Sequence, residues 1–400
     1  MLLIFSLFLP EKSFSKSSNE NMGEREVDWS ALPMELLPLI GRAIQARIDV
    51  VRLRSVCASL RTSIPPLRGI SPPLLLPFPF SINSAGGQSF LSQSSIYRLE
   101  PLDDNPNLST CSSKGWLVKV EEYEPGRVRL LNPLSSLRVR FFPDSFPKVI
   151  NLLDFRVVEV GKAYKLQHSN GMNIAGVDKL LLFPNSAWTS CVEYKLIFGL
   201  FHEGKLGYVK YGDKNWTFVD DNNFYCDDIT VYKGQSYVVD GLGTVSWIDS
   251  SMKLIQFSPP LPLCALGNHK HLVESCGELY VVDRFFDRER RFDHDLRRHI
   301  VCPKTVNFEV YKLDQEWGRW VMVKNLGDQV FILGNDCSFS VSATEFSGCK
   351  GNCIYFTDEK NIGAFYIGNQ KIDKILDYGA QCHPFWPPPS WLSSKSSSKC

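Results

Sequence analysis

Gly234-Gln-Ser-Tyr-Val-Val-Asp240 recurs as Gly277-Glu-Leu-Tyr-Val-Val-Asp283, 43 residues further on. A looser copy, Gly351-Asn-Cys-Ile-Tyr-Phe-Thr-Asp358, follows after another 74. Each copy opens on glycine, a turn residue, and runs into β-branched and aromatic residues, the composition of a strand. A second strand-like run follows each copy, at Thr244–Ile248, Phe308–Leu313 and Gly363–Ile367. A period of about 40–45 residues is the size of one four-stranded blade. A single unit of this kind cannot bury both of its faces, whereas stacked units can. The repeat therefore predicts a β-propeller and leaves the number of blades open. The longer second interval has a visible source in the charged stretch Arg284–Lys304.

Outward from the repeat, the chain from Trp116 to Ile367 reads as short β-rich runs bounded by Gly, Asn, Asp or Pro. They include Trp116–Val120, Phe155–Val160, Leu196–Leu200, Ile229–Tyr232, Trp320–Val323 and Val330–Leu333. Many short strands and almost no helix define a mainly β class. Upstream, Ser63–Pro79 is proline-rich, which excludes helix and leaves Leu74-Leu75-Leu76 as a short extended piece.

Only Asp28–Pro65 has helical periodicity. Leu32, Leu36, Leu37, Ile40 and Ile44 form one apolar stripe, and Pro33 suits a first helical position. Val50, Leu53, Cys57, Leu60 and Ile64 form a second stripe, running from an Asp49 cap to a stop at Pro65-Pro66. Helices this short must bury their stripes against each other or a partner. The order Leu32-Pro33-x-Glu35-Leu36-Leu37-x-x-Ile40, then Val51-Arg52-x-Arg54-Ser55-Val56-Cys57-x-x-Leu60-Arg61, resembles an F-box. Leu60 stands where that family usually has tryptophan. Arg127-Val-Arg-Leu-Leu-Asn-Pro-Leu134, the Trp216 and Tyr237–Asp240 contexts and Trp386-Pro-Pro-Pro-Ser-Trp391 are similar to plant F-box proteins with a KIB-type C-terminal β-propeller.

That resemblance implies a mixed, mainly β chain: a small α-helical F-box followed by a large propeller. The expected division is a tail over 1–26, an F-box over 27–66, a linker over 67–73, the propeller over 74–391 and a second tail over 392–400. Met22 is a plausible alternative start. The resemblance further implies a non-catalytic substrate-recognition subunit of a Skp–cullin–F-box ubiquitin ligase, in nucleus and/or cytoplasm. Leu32, Pro33, Leu36, Leu37, Ile40, Val56 and Leu60 would meet the Skp-type adaptor, with Leu37 and Val56 able to serve the helix-pair core instead. The propeller would hold an unidentified target protein. Asp283–His299 interleaves both charge signs and is expected as a solvated insertion loop. Insertions in repeat folds project from the binding face, so Arg288, Arg290, Arg291, Arg297 and Arg298 are the candidate target contacts.

The remaining features set bounds. Of 400 residues, 44% are hydrophobic, enough for a real core, and the net charge of +1 speaks against a dedicated nucleic-acid binder. Met1–Pro10 is apolar but far shorter than the roughly 20 residues of a membrane-spanning helix. The twelve cysteines form no C-x-x-C pair and read as reduced, mostly buried thiols. Asp103-Asp104, Asp220-Asp221 and Asp227-Asp228 are expected in turns, since strand neighbours point to opposite faces. His269-x-His271 lacks a matching third ligand and is expected on a surface strand or loop rather than around a metal. Gly241-Leu-Gly243 reads as a hairpin turn, and no nucleophile, phosphate-loop or zincin motif occurs, so no cofactor is expected. Two other readings stay open. One is a propeller enzyme or carbohydrate-binding protein, which a cluster of carboxylates or histidines on the central channel would favour. The other is a ligase-independent F-box scaffold.

Overall fold

Both strong copies of the repeat form the second strand of a four-stranded antiparallel sheet, and the loose copy forms the third strand of a five-stranded one. The structure, a computed structural model, describes residues 4–5, 33, 35–37, 47–64, 74–79, 88–101, 115–124, 127–147, 149–150, 155–183, 196–219, 225–262, 267–287, 290–293, 298–301, 303–346, 349–358, 361–377, 385 and 390–392. A two-residue strand β1 (Ile4–Phe5) pairs in parallel with β6 (Val149–Ile150).

Five larger sheets follow. Blade 1 holds β2 (Leu74–Pro77), β3 (Gln88–Pro101), β4 (Trp116–Glu124), β5 (Arg127–Leu131) and β7 (Phe155–Gln167). Blade 2 is β8 (Val177–Phe183), β9 (Leu196–Phe201), β10 (Lys205–Lys210) and β11 (Thr217–Phe218). Blade 3 is β12 (Cys226–Tyr232), β13 (Gln235–Asp240), β14 (Val245–Ile248) and β15 (Leu254–Gln256). Blade 4 joins β16 (His269–Ser275) and β17 (Glu278–Asp287) to β20 (Lys304–Asp314) and β21 (Arg319–Met322), with β18 (Arg290–Asp293) and β19 (Arg298–Val301) inserted between them. Blade 5 contains β22 (Gln329–Leu333), β23 (Ser338–Ser342), β24 (Cys353–Asp358), β25 (Asn361–Tyr366) and β26 (Lys371–Asp377). Its β22 runs parallel to β24, the exception in an otherwise antiparallel set of blades.

The apolar cores show that these sheets close a ring. Separate clusters join blade 1 to 2, 2 to 3, 3 to 4, 4 to 5 and 5 back to 1. Neighbouring residues of a strand point to opposite faces, so each repeat feeds two of these cores. Val238 enters the core shared with blade 2, while Tyr237 and Val239 enter the one shared with blade 4. Val281 and Val282 divide in the same way, as do Tyr355 and Phe356. This two-sided burial is why the repeat is an unbroken apolar run. The chain is thus a five-bladed, mainly β propeller with few helices, and the structure supplies the blade number that the repeat could not.

The repeat's polar ends also acquire reasons. Lys233-Gly234 and Cys276-Gly277 each have positive φ at both positions and each joins two paired strands, the type I′ hairpin that favours glycine. The closing aspartates diverge. Asp240 caps its own turn through Leu242 N and Thr244 N, at 2.9 and 2.8 Å. Asp283 is buried against the Lys270 amine at 2.8 Å. Asp358 accepts from Thr305 N at 3.0 Å, tying blade 5 to blade 4.

Ring closure rests on the Asn132-Pro133-Leu134 element. The Asn132 side chain accepts from Leu134 N and Ser135 N, bending the chain after β5. Leu134 then enters the core with blade 5, and its carbonyl accepts from Asn335 N at 3.0 Å. Beside it the Lys119 amine, fully buried, meets Asp336 at 2.6 Å and Ser136 at 2.7 Å. Trp116 Nε1 donates to the Phe385 carbonyl, while Trp391 and Leu392 pack on blade 1, so the C-terminal segment spans the same seam.

Candidate functional site

The N-terminal helical region is a pair, α1 (Arg47–Val56) and α2 (Ala58–Ser63). The uninterrupted second helix expected from the sequence is broken at Cys57, which has extended backbone and caps α2 by accepting from Leu60 N. Asp49 lies inside the first turn of α1, paired with Arg52, rather than capping it. Arg54 donates to the Arg61 and Ile64 carbonyls, satisfying the exposed C-terminal end of α2. The break folds Val50, Leu60 and Ile64 onto Leu37 as a small separate core. Leu37 and Leu60 therefore face one another, at 2% and 3% exposure. Pro33, Leu36 (42%) and Val56 (62%) face outward. Leu32 and Ile40 lie outside the described residues. The pair is fixed to the propeller by Arg52, which donates to the Val157 and Phe155 carbonyls at the start of β7.

The other end of β7 reaches the central channel, where the Lys165 amine lies 3.4 Å from Asp336. At about 3.3 Å per residue, Phe155 and Lys165 are roughly 30 Å apart. Here the innermost strands β8, β12 and β16 begin, and with the loop before β23 they surround a cavity of about 470 Å³. The sequence reading did not mark β8 or β23 as strands and left the start of β16 as a strand or a loop. It also placed Asp227-Asp228 in a turn and the histidines on a surface element; the structure corrects both. Asp227 and Asp228 sit at a bulge in β12, which lets both carboxylates reach the next blade. Asp227 accepts from Lys270 N at 2.8 Å and Asp228 from Leu272 N at 2.9 Å, so they cap the inner edge of β16. Asp228 also binds the Lys179 amine at 2.6 Å. His269 and His271, two apart on β16, turn to the same side with ring centres 4.5 Å apart. Burial pushes both histidines down, His271 furthest, and pushes the Asp178 and Asp227 carboxyls up. Among the described residues, no three His, Cys, Asp or Glu side chains are arranged to hold a metal ion. Asp103-Asp104 and Asp220-Asp221 lie outside the described residues.

The charged insertion is a β-hairpin rather than an open loop. The β17–β20 ladder runs on to Asp287↔Lys304, and β18 pairs with β19 beyond it. Arg290 and Arg291 lie on β18 and Arg298 on β19, while Arg288 and Arg297 fall outside the described residues. His269 pairs with Arg284 three residues before the end of β17, so the hairpin rises from the face on which the channel cavity opens. The helix pair is attached at the opposite face.

A propeller with an appended helix pair places this chain among the repeat folds whose units bury their faces against one another. Comparison with known proteins makes this specific. Residues 88–366 match the family described as KIB1-4 beta-propeller. The Arabidopsis thaliana F-box protein SKIP23 is 31% identical over 92% of this chain and 96% of its own length. The putative F-box protein At1g65770 of the same plant is 33% identical over 90% and 99%. The putative F-box protein At5g60060 is 34% identical over 84% and 89%. The chain belongs to the plant F-box proteins with a KIB-type β-propeller. A substrate-receptor role is the one that this family suggests.

Proposed function

We propose that the chain is the substrate-recognition subunit of a Skp–cullin–F-box ubiquitin ligase, working in the nucleus and/or cytoplasm. The helix pair docks the Skp-type adaptor, and through it the cullin, by a few apolar anchors of the kind that dominate helix-in-groove contacts. The chain performs no bond chemistry; it raises the effective concentration of a target near the ubiquitin-carrying enzyme. The observation that carries this reading is the polarity of β7, with the helix pair at its start and the channel mouth near its end. An adaptor and a target bound there would not collide. Pro33, Leu36 and Val56 supply the outward apolar surface, and Leu32 and Ile40 are proposed as further adaptor contacts on the sequence pattern alone. Leu37 and Leu60 act by holding the pair in shape.

The test is a titration of a purified Skp-type adaptor against the full chain. Pro33→Ala/Leu36→Ala is expected to weaken binding about thirtyfold or more, the ~2 kcal/mol of a hot-spot contact. Wild-type protein that binds no adaptor would reject the ligase reading and favour a ligase-independent scaffold.

The β18–β19 hairpin, with Arg288, Arg290, Arg291, Arg297 and Arg298, is proposed as the target-contact arm. Because Asp287 and Lys304 are paired, residues 288–303 can be replaced by Asn-Gly, which closes a two-residue turn on the existing register. The shortened chain is expected to keep adaptor affinity and its melting temperature while losing target capture. Undiminished recovery of the same targets from plant extract by the shortened chain would reject this role.

A further inference from the structure

The channel mouth holds more acid than the fold uses. Asp228 is committed to the half-buried Lys179 and Asp336 to the buried Lys119. Asp178, at the start of β8, has no ion pair or hydrogen bond among the described residues. Asp227 spends one carboxylate oxygen on Lys270 N, and its nearest base is His269 at 3.9 Å. Glu203 adds a third carboxylate at the rim, with Lys205 at 3.8 Å and both side chains well exposed. Between them His271, 9% exposed, lines the same cavity with its Nε2 buried and unpartnered. A buried imidazole nitrogen left without a partner costs free energy that a donor in the cavity would recover. Burial keeps this imidazole neutral at physiological pH, so one of its nitrogens is an acceptor.

We infer that the channel mouth is a recognition pocket for an alkyl ammonium or guanidinium group, the basic side chain of a bound target protein. Lys179, the cation in the lining, is paired with Asp228, which leaves Asp178, Asp227 and Glu203 to meet a ligand that supplies several N–H donors and a positive charge. Lysine and arginine side chains carry three and five such donors. A bare metal ion does not suit the site, since no three of its ligating groups converge. About 470 Å³ leaves room for the alkyl stem as well as the head. The side chain would enter from the face at which the β18–β19 hairpin leaves blade 4. This assignment rests on the target-binding reading of that face.

The test is calorimetric titration of the full chain with N-acetyl-arginine methylamide, N-acetyl-lysine methylamide and the uncharged N-acetyl-citrulline methylamide, with spermidine as a fourth arm. The basic probes are expected to bind at least about tenfold more tightly than the citrulline probe. Asp178→Asn, which removes a charge without removing a fold contact, is expected to weaken them by about tenfold, as is Asp227→Asn, which keeps an acceptor for Lys270 N. Spermidine binding more tightly than either amino-acid probe, with the same loss in Asp178→Asn, would keep the pocket's chemistry and assign it to a free polyamine. Equal binding of arginine and citrulline probes, no binding at millimolar concentration, or no change in both variants would overturn the proposal. The adaptor titration reads the opposite face, so adaptor binding that persists while the basic probes fail overturns the pocket alone.

Discussion

Asp336→Ala is expected to destabilise the folded chain by about 3–5 kcal/mol, the cost of leaving a buried charge without its partner. The charge is Lys119, whose amine is fully buried and reaches Asp336 at 2.6 Å across the junction of the first and last blades. Besides a long contact to Cys337 Sγ at 3.9 Å, its other partner Ser136 also donates to Asp336 at 2.8 Å, so the substitution disturbs the whole knot. Lys165, more exposed at 3.4 Å, would lose its partner too but can turn to water. Urea unfolding measures the loss. Lys119→Met/Asp336→Leu removes both charges and is expected to regain most of it, because buried pairs are often replaceable by apolar groups of similar size. A double variant as unstable as Asp336→Ala would mean that the seam needs the hydrogen bonds themselves. The pH dependence follows. Burial alone would raise the Asp336 carboxyl, but Lys119, Lys165 and the hydrogen bonds outweigh it and hold it at about 2. The folded value lies below the roughly 3.9 of an unfolded aspartate. The contribution is therefore complete above about pH 4 and is lost as pH falls through about 2. The wild-type chain should show this loss and Asp336→Ala should not.

Trp320→Ala is expected to cost about 3–5 kcal/mol, in the range for large aromatic truncations in cores. Trp320 stands on the outermost strand of blade 4, buried in the core shared with blade 3, and its indole N–H donates to the Pro259 carbonyl at 2.8 Å. Trp216 does the same two interfaces earlier, in the core between blades 1 and 2, donating to the Pro77 carbonyl at 2.9 Å and meeting Phe201 edge to face. A tryptophan on the outer strand or just before it thus fastens a blade to a proline carbonyl of its predecessor at two of the five junctions. Trp320→Phe keeps most of the ring and loses the bond, so it is expected to cost only about 1–2 kcal/mol. Denaturant unfolding of both variants separates ring packing from hydrogen bonding. Equal costs for Ala and Phe would assign the role to the N–H.

The strands that the sequence reading recognised and missed differ for a physical reason. Runs such as Tyr237-Val238-Val239 and Tyr280-Val281-Val282 are buried on both faces between blades, and their apolar content announces them. The innermost strands β8 and β23 read Val-Asp-Lys and Ser-Phe-Ser at their starts, residues that suggest loops, and the His-Lys-His of β16 left strand and loop both open. They are polar because they line the channel and pair across it. The elements that build the candidate pocket were therefore the hardest to see. Lys119 and Asp336 carried no local signal at all, since each matters through a residue brought near only by ring closure.

The sequence by itself determined the repeat unit, the mainly β class, the two apolar stripes near the N-terminus and the position of the charged insertion. These follow from local chemistry: glycine at hairpin turns, two-sided burial of a short strand, and helical spacing of leucines. Tertiary structure alone decided that five blades close the ring, that Leu37 and Leu60 face inward while Leu36 and Val56 face out, and that the insertion is a hairpin on the channel face. It also decided that Asp227, Asp228, His269 and His271 meet at one cavity. Those outcomes depend on which strands become neighbours across the ring, and that is set by the summed burial of all five interfaces rather than by any stretch of chain.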